Sequence, residues 1–160
     1  MSVTPIDILL IEDNEDDIEL TQTALSIGKV VNSLTVFRDG DEALRYLLGD
    51  GTTANPPATV PGLILLDLRL PKVDGIEVLK RIKQDPLLRR VPVVVLTTSQ
   101  RDEDIIQSYD LGANSFIRKP VLFEAFHSTM KTLELYWVLT NTPPPMSRPS
   151  TQAVNKGGSL

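Results

Sequence analysis

The sequence contains no cysteine, which excludes disulfides and thiolate chemistry and fits a reducing compartment. It has one histidine, His127, which argues against zinc sites and Ser-His catalysis. His127 falls inside the last expected helix, away from the acidic residues, and is not read as a phosphohistidine. A basic excess is also lacking: the net charge is −5, where a nucleic-acid footprint needs a basic face. No apolar run approaches the roughly 20 residues of a membrane span. The opening Met1-Ser-Val-Thr-Pro5 meets Asp7 almost at once, so no signal peptide is expected. The expectation is a soluble, cytoplasmic protein with no nucleic-acid or membrane partner.

What is present is an alternation. The 160 residues are 41% hydrophobic, enough for one domain with a sizeable core. Short apolar runs predict strands at Ile6–Ile11, Leu34–Arg38, Leu63–Leu66, Val93–Leu96 and Ser115–Ile117. Between them, helical spacing predicts Asp16–Ser26, capped by Asp16 and buried through Ile18, Ala24 and Leu25. Further helices are expected at Asp39–Leu48, Gly75–Lys83, Asp102–Leu111 and Leu122–Leu139. Asp85-Pro86 stops the third and Gly112 the fourth. Five βα units with short connections imply an α/β, doubly wound five-stranded parallel sheet with five helices, of which order 2-1-3-4-5 is one common form. No internal repeat is visible. Gly49–Pro61 is a polar, Gly/Pro-rich loop. Residues 1–139 form the expected domain, and 140–160 a disordered tail containing Pro143, Pro144, Pro145 and Pro149.

The acids at strand ends carry the chemistry. Asp67 closes the run Gly62–Leu66, and Glu12-Asp13 closes Ile6–Ile11. Carboxyl ends of parallel strands are where open α/β sheets bind ligands. Three carboxylates gathered there repel one another unless a cation joins them, and a hard divalent ion such as Mg2+ suits oxygen ligands. The bland alternative is a solvated acidic rim.

Four segments together resemble the receiver domains of two-component response regulators. They are Leu9-Leu-Ile-Glu12-Asp13-Asn14, Leu65-Leu-Asp67-Leu-Arg-Leu-Pro71-Lys-Val-Asp-Gly75, Pro92-Val-Val-Val-Leu-Thr97-Thr98 and Gly112-Ala-Asn-Ser-Phe116-Ile-Arg-Lys119-Pro120. Each alone is modest; four in order at strand ends are specific, and the resemblance runs from about Ile6 to Leu139. It implies the flavodoxin-like fold and phosphorylation of Asp67 by a histidine kinase. On the same footing Glu12, Asp13, Asp67 and the backbone carbonyl of Arg69 would hold Mg2+. Lys119 would face the phosphoryl group, with the Thr97 hydroxyl and the Thr98 amide beside it. The resemblance also makes the Lys119–Pro120 bond cis and Phe116 a switch aromatic that turns inward as Thr97 moves to the phosphate. The competing reading of Phe116 is a permanent core residue.

The departures are informative. Arg69 and Ser99, two residues beyond Asp67 and Thr97, stand where side chains gate water and tune phosphoryl lifetime. The inserted loop before Pro61, Thr97-Thr-Ser99 and the long last helix resemble stand-alone regulators paired with cyanobacterial and bacterial phytochromes. That helix is apolar nearly all round, with Phe123, Phe126, Met130, Leu133 and Trp137 in one stripe and Tyr136 and Leu139 beside it. Such a helix needs a cover. A homodimer is therefore expected, with Tyr109, Phe116, Tyr136 and Leu139 at or near the interface and the downstream target unknown. Two rivals remain open: a Mg2+-dependent aspartyl-phosphate phosphohydrolase, which usually carries a second acid where Arg69 stands, and a flavodoxin-like interaction module that is never phosphorylated.

Overall fold

A computed structural model of the protein describes residues 6–28, 31–97, 102–119, 124 and 128. Five strands, β1 (Ile6–Ile11), β2 (Val31–Phe37), β3 (Leu63–Asp67), β4 (Val93–Thr97) and β5 (Ser115–Arg118), form one sheet. Its order is β2-β1-β3-β4-β5 with every pair parallel, as expected. Four α-helices are described: α1 (Glu15–Gly28), α2 (Gly40–Leu48), α3 (Gly75–Gln84) and α4 (Asp102–Asp110). Most of the expected fifth helix lies outside the described residues, although Glu124 and Ser128 are helical and exposed.

The pleat explains how one sheet binds two layers. Successive strand residues point to opposite faces, so the apolar runs divide by parity. Leu9, Ile11, Ile64, Leu66, Val93 and Val95 pack with Ala43, Leu44 and Leu47 of α2 and Val78, Leu79 and Ile82 of α3. Ile8, Leu10, Leu63, Leu65, Val94 and Leu96 face the other way, onto Ile18, Ala24 and Leu25 of α1. Runs that are apolar on both faces are what a doubly covered parallel sheet requires.

Three local expectations are corrected. The cap of α1 is Asn14, not Asp16: its Oδ1 accepts from the Asp17 N–H at 3.1 Å, and its carbonyl from Ile18 N–H at 2.9 Å. Strand β2 starts at Val31 rather than Leu34, because polar Ser33 sits on an edge strand and donates to Asp7 Oδ1 at 2.7 Å. After Asp85 the chain makes a 3-10 turn, Leu88–Arg90, that was not expected. Asp85 Oδ2 nucleates it by accepting from the Leu87 and Leu88 amides at 3.1 and 2.8 Å.

Candidate functional site

Register brings the acids together. Ile11 lies opposite both Phe37 and Leu66, so the next residues, Glu12 and Asp67, emerge side by side at the carboxyl edge of the sheet. Asp67 pairs with Leu96 and Thr97 with Arg118, which places Lys119 just past the same edge. One carboxylate oxygen from each of Glu12, Asp13 and Asp67 lies within 4.8 Å of the others. Glu12 and Asp67 are buried, while Asp13 is open to solvent.

Local hydrogen bonds hold this corner. The Glu12 amide donates to Phe37 O at 2.9 Å, and Glu12 Oε1 accepts from the Asn14 amide at 3.1 Å. Asp67 Oδ1 accepts from the Arg69 amide at 3.1 Å, which turns the chain sharply beyond the strand and exposes the Arg69 side chain. The segment then returns to Gly75, whose amide donates to Leu68 O at 2.9 Å. A Cβ at Gly75 would sit 2.3 Å from Asp67 O, so only glycine lets α3 start this close to the acid. From the other side, Asp39 caps α2 through the Glu42 amide and lies 3.5 Å from Lys72 Nζ. Lys72 itself has φ 66°, a left-handed turn position.

Lys119 closes the corner. Its side chain is 5% exposed, and its Nζ lies 2.5 Å from Glu12 Oε2, 2.9 Å from Asp17 Oδ2 and 3.0 Å from Asp67 Oδ2. Burial pushes the Glu12 carboxyl up to about 7; the Asp67 charge adds to the rise, and the nearby ammonium opposes it. For Lys119, burial pulls the pKa down, but the close contacts and charges of Glu12, Asp17 and Asp67 outweigh it and raise the pKa.

The donor set fits a divalent cation. Glu12 Oε2 is buried and accepts no hydrogen bond of good geometry; its close contact with the ammonium is ionic. Lys119 faces three carboxylates (Glu12, Asp17, Asp67), Asp13 adds a fourth acid beside Glu12 and Asp67, and all the side-chain donor atoms are hard oxygens.

The other expected residues are placed as follows. Thr97 ends β4 at the acid edge, by its backbone. Thr98, Pro120, Tyr136 and Leu139 lie outside the described residues, as does His127. Phe116 is half-buried and packs against the α2/α3 side of the core. Tyr109 is exposed. Asn14 and Asp17 were missed by sequence reasoning. An acid in the first turn of a helix reads as a dipole partner, and only the tertiary fold reveals that Asp17 meets Lys119.

A family model described as the response regulator receiver domain matches residues 8–131. The chain belongs to that family. It is 43% identical to the response regulator Rcp1 of Synechocystis sp. over 86% of this chain and 92% of that one. A crystal structure of Rcp1 in its Mn(2+)-bound form aligns with a TM-score of 0.71, at 43% identity, over 88% of this chain and 99% of that one. The phosphorylated cyanobacterial phytochrome response regulator RcpA is 47% identical, with a TM-score of 0.72, over 88% of this chain and 99% of that one. A probable methanogenesis regulatory protein of Methanothrix harundinacea, FilR2, is 42% identical over 88% of both chains. This chain is thus a receiver-type response regulator of the two-component class, homologous to phytochrome response regulators. Receiver domains take phosphoryl groups from histidine kinases and hold a divalent metal in an acidic pocket. No helix among the described residues is long and apolar enough to cross a membrane.

Proposed function

We propose that Asp67 is the phosphoacceptor and that Lys119 is the fixed cation of the transfer. The observation that carries this is the Lys119 ammonium, buried 3.0 Å from Asp67 Oδ2 beside two further acids. An Asp67 carboxylate oxygen attacks phosphorus, the new P–O bond forms, and the P–N bond of a phosphohistidine protonated on its other ring nitrogen breaks, releasing a neutral imidazole that keeps that proton. Lys119 faces the charge that builds on the phosphoryl oxygens, and its location costs no reorganisation. Mg2+, held by Glu12, Asp13, Asp67 and the Arg69 carbonyl, would neutralise the acids and further offset that charge. Thr97 and the Thr98 amide receive the phosphoryl group, and Arg69 and Ser99 set its lifetime by screening water. The protein then acts by a changed surface, through Phe116 and the neighbouring α4 face near Tyr109, and not as a turnover enzyme.

Similarity to Rcp1 and RcpA supports a phytochrome-type histidine kinase as donor, and the donor's chemistry supports a cytoplasmic location. The comparable identity of FilR2 keeps other kinases in play. Association of two copies through Tyr136 and Leu139, and a Pro-rich tail at 140–160 beyond a domain of 1–139, are supported by sequence pattern alone. The test is intact mass after incubation with Mg2+ and acetyl phosphate. A single phosphoryl increment on the wild type and none on Asp67→Asn supports the reading; an equal increment on both places the acceptor elsewhere.

A further inference from the structure

Resting on Asp67 as acceptor, we propose that Asp17 is a positioning residue for phosphoryl transfer, orienting Lys119 toward Asp67. A fourth acid is at first sight counterproductive in a corner that must receive an anion. The geometry resolves this. The Lys119 ammonium has three carboxylate oxygens around it: Glu12 Oε2 at 2.5 Å, Asp17 Oδ2 at 2.9 Å and Asp67 Oδ2 at 3.0 Å. Lys119 donates its hydrogen bond to Asp67 Oδ2, while the contacts with Glu12 Oε2 and Asp17 Oδ2 are ion pairs that anchor the ammonium, so Asp17 does not compete for the N–H aimed at Asp67. Two ionic anchors fix the head group of an otherwise flexible four-carbon stem, and an N–H is left facing the reacting oxygen.

Asp17 is itself held at both ends. Its amide donates to Asn14 Oδ1 at 3.1 Å, and its carbonyl accepts from Thr21 Oγ1 at 2.8 Å, with Thr21 buried. The α1 cap therefore transmits a rigid reference from the helix to the lysine. When Asp67 becomes an acyl phosphate, a phosphoryl oxygen takes the N–H that faced Asp67 while the ion pairs to Asp17 and Glu12 persist. Loss of Asp17 removes one ionic anchor and lets the ammonium swing, and a misplaced group at a reacting centre costs rate and not donor binding.

The experiment measures phosphorylation of the full chain by acetyl phosphate and Mg2+ across donor concentrations. In Asp17→Asn the saturating rate should fall about tenfold, with the half-saturating donor concentration little changed. Asp17→Glu, which keeps the charge, should recover part of the rate. In a Lys119→Met background, Asp17→Asn should add no further loss, because the effect runs through the lysine. Matching urea midpoints confirm an intact fold, and Asp17→Ser serves if the amide variant does not fold. A rate that is unchanged or raised, or an additive loss in the Lys119→Met background, overturns the proposal. A wild type that takes up no phosphate, or an Asp67→Asn that does, overturns the underlying acceptor reading instead.

Discussion

Among the described residues two lysines are drawn into the fold, and their surroundings send them in opposite directions. Lys119 sits among three carboxylates, and its pKa is raised despite burial. Lys83, near the end of α3, donates to the backbone carbonyls of Arg89 at 3.2 Å and Val91 at 3.1 Å. Its stem lies alongside Gly112, where a Cβ would come 3.3 Å from its Cδ. Burial pulls its pKa down to about 8. Carbonyl dipoles satisfy the N–H groups of Lys83 without balancing its charge. The comparison teaches that desolvation sets a common penalty, and that the partners decide whether the site keeps its proton. A lysine set among acids keeps its proton; one that ties a turn to a helix can rest on carbonyls.

The largest test of that contrast removes each ammonium while keeping its stem. Lys119→Met leaves Glu12, Asp17 and Asp67 without their shared cation and should destabilise the metal-free protein by about 3 kcal/mol in urea unfolding. Added Mg2+ should restore part of that loss. Lys83→Met removes a charge that was costly to bury along with two hydrogen bonds, and the two effects oppose each other. Its stability should stay within about 1 kcal/mol of wild type. Equal losses from the two substitutions would break the comparison.

A pH series sharpens it. Between about 8 and 10.5 the folded protein has released the Lys83 proton while the unfolded chain still binds it. Stability should therefore rise with pH across that window, and Lys83→Met should flatten the rise. Lys119 has the opposite sign: its contribution is complete below the ordinary lysine value of 10.5 and is lost as pH climbs through its raised folded value. The smallest expected effect is at the exposed limit. Arg38 pairs with Glu15 in open solvent, and Arg38→Ala should leave the urea midpoint unchanged within error.

How much of this was legible follows the range of the interactions. The apolar runs at Ile8–Ile11 and Leu63–Leu66 are buried on both faces, so they had to be parallel strands and the acids after them had to share an edge. The starts of α2 and α3 near Asp39 and Gly75 were likewise legible from local pattern, but the Asp39 cap bond and the close approach of Gly75 to Asp67 emerge only in the fold. Asn14 and Asp16 offer equivalent capping chemistry two residues apart, and only the fold chose Asn14. The 3-10 turn was hidden because Pro86 reads simply as a stop. Asp17 and Lys83 were opaque for a common reason. Each is an ordinary helix-surface residue by pattern, and its partner arrives from a segment far along the chain or around a turn.

The central claim is that the convergence of Glu12, Asp13, Asp17 and Lys119 serves Asp67 as phosphoacceptor. Borohydride reduction of the phosphorylated protein, followed by peptide sequencing, tests it most directly, because hydride converts an aspartyl phosphate into homoserine. The account predicts homoserine at position 67 and nowhere else. Homoserine at another acid, or a phosphorylated protein with intact aspartate at 67, would contradict it.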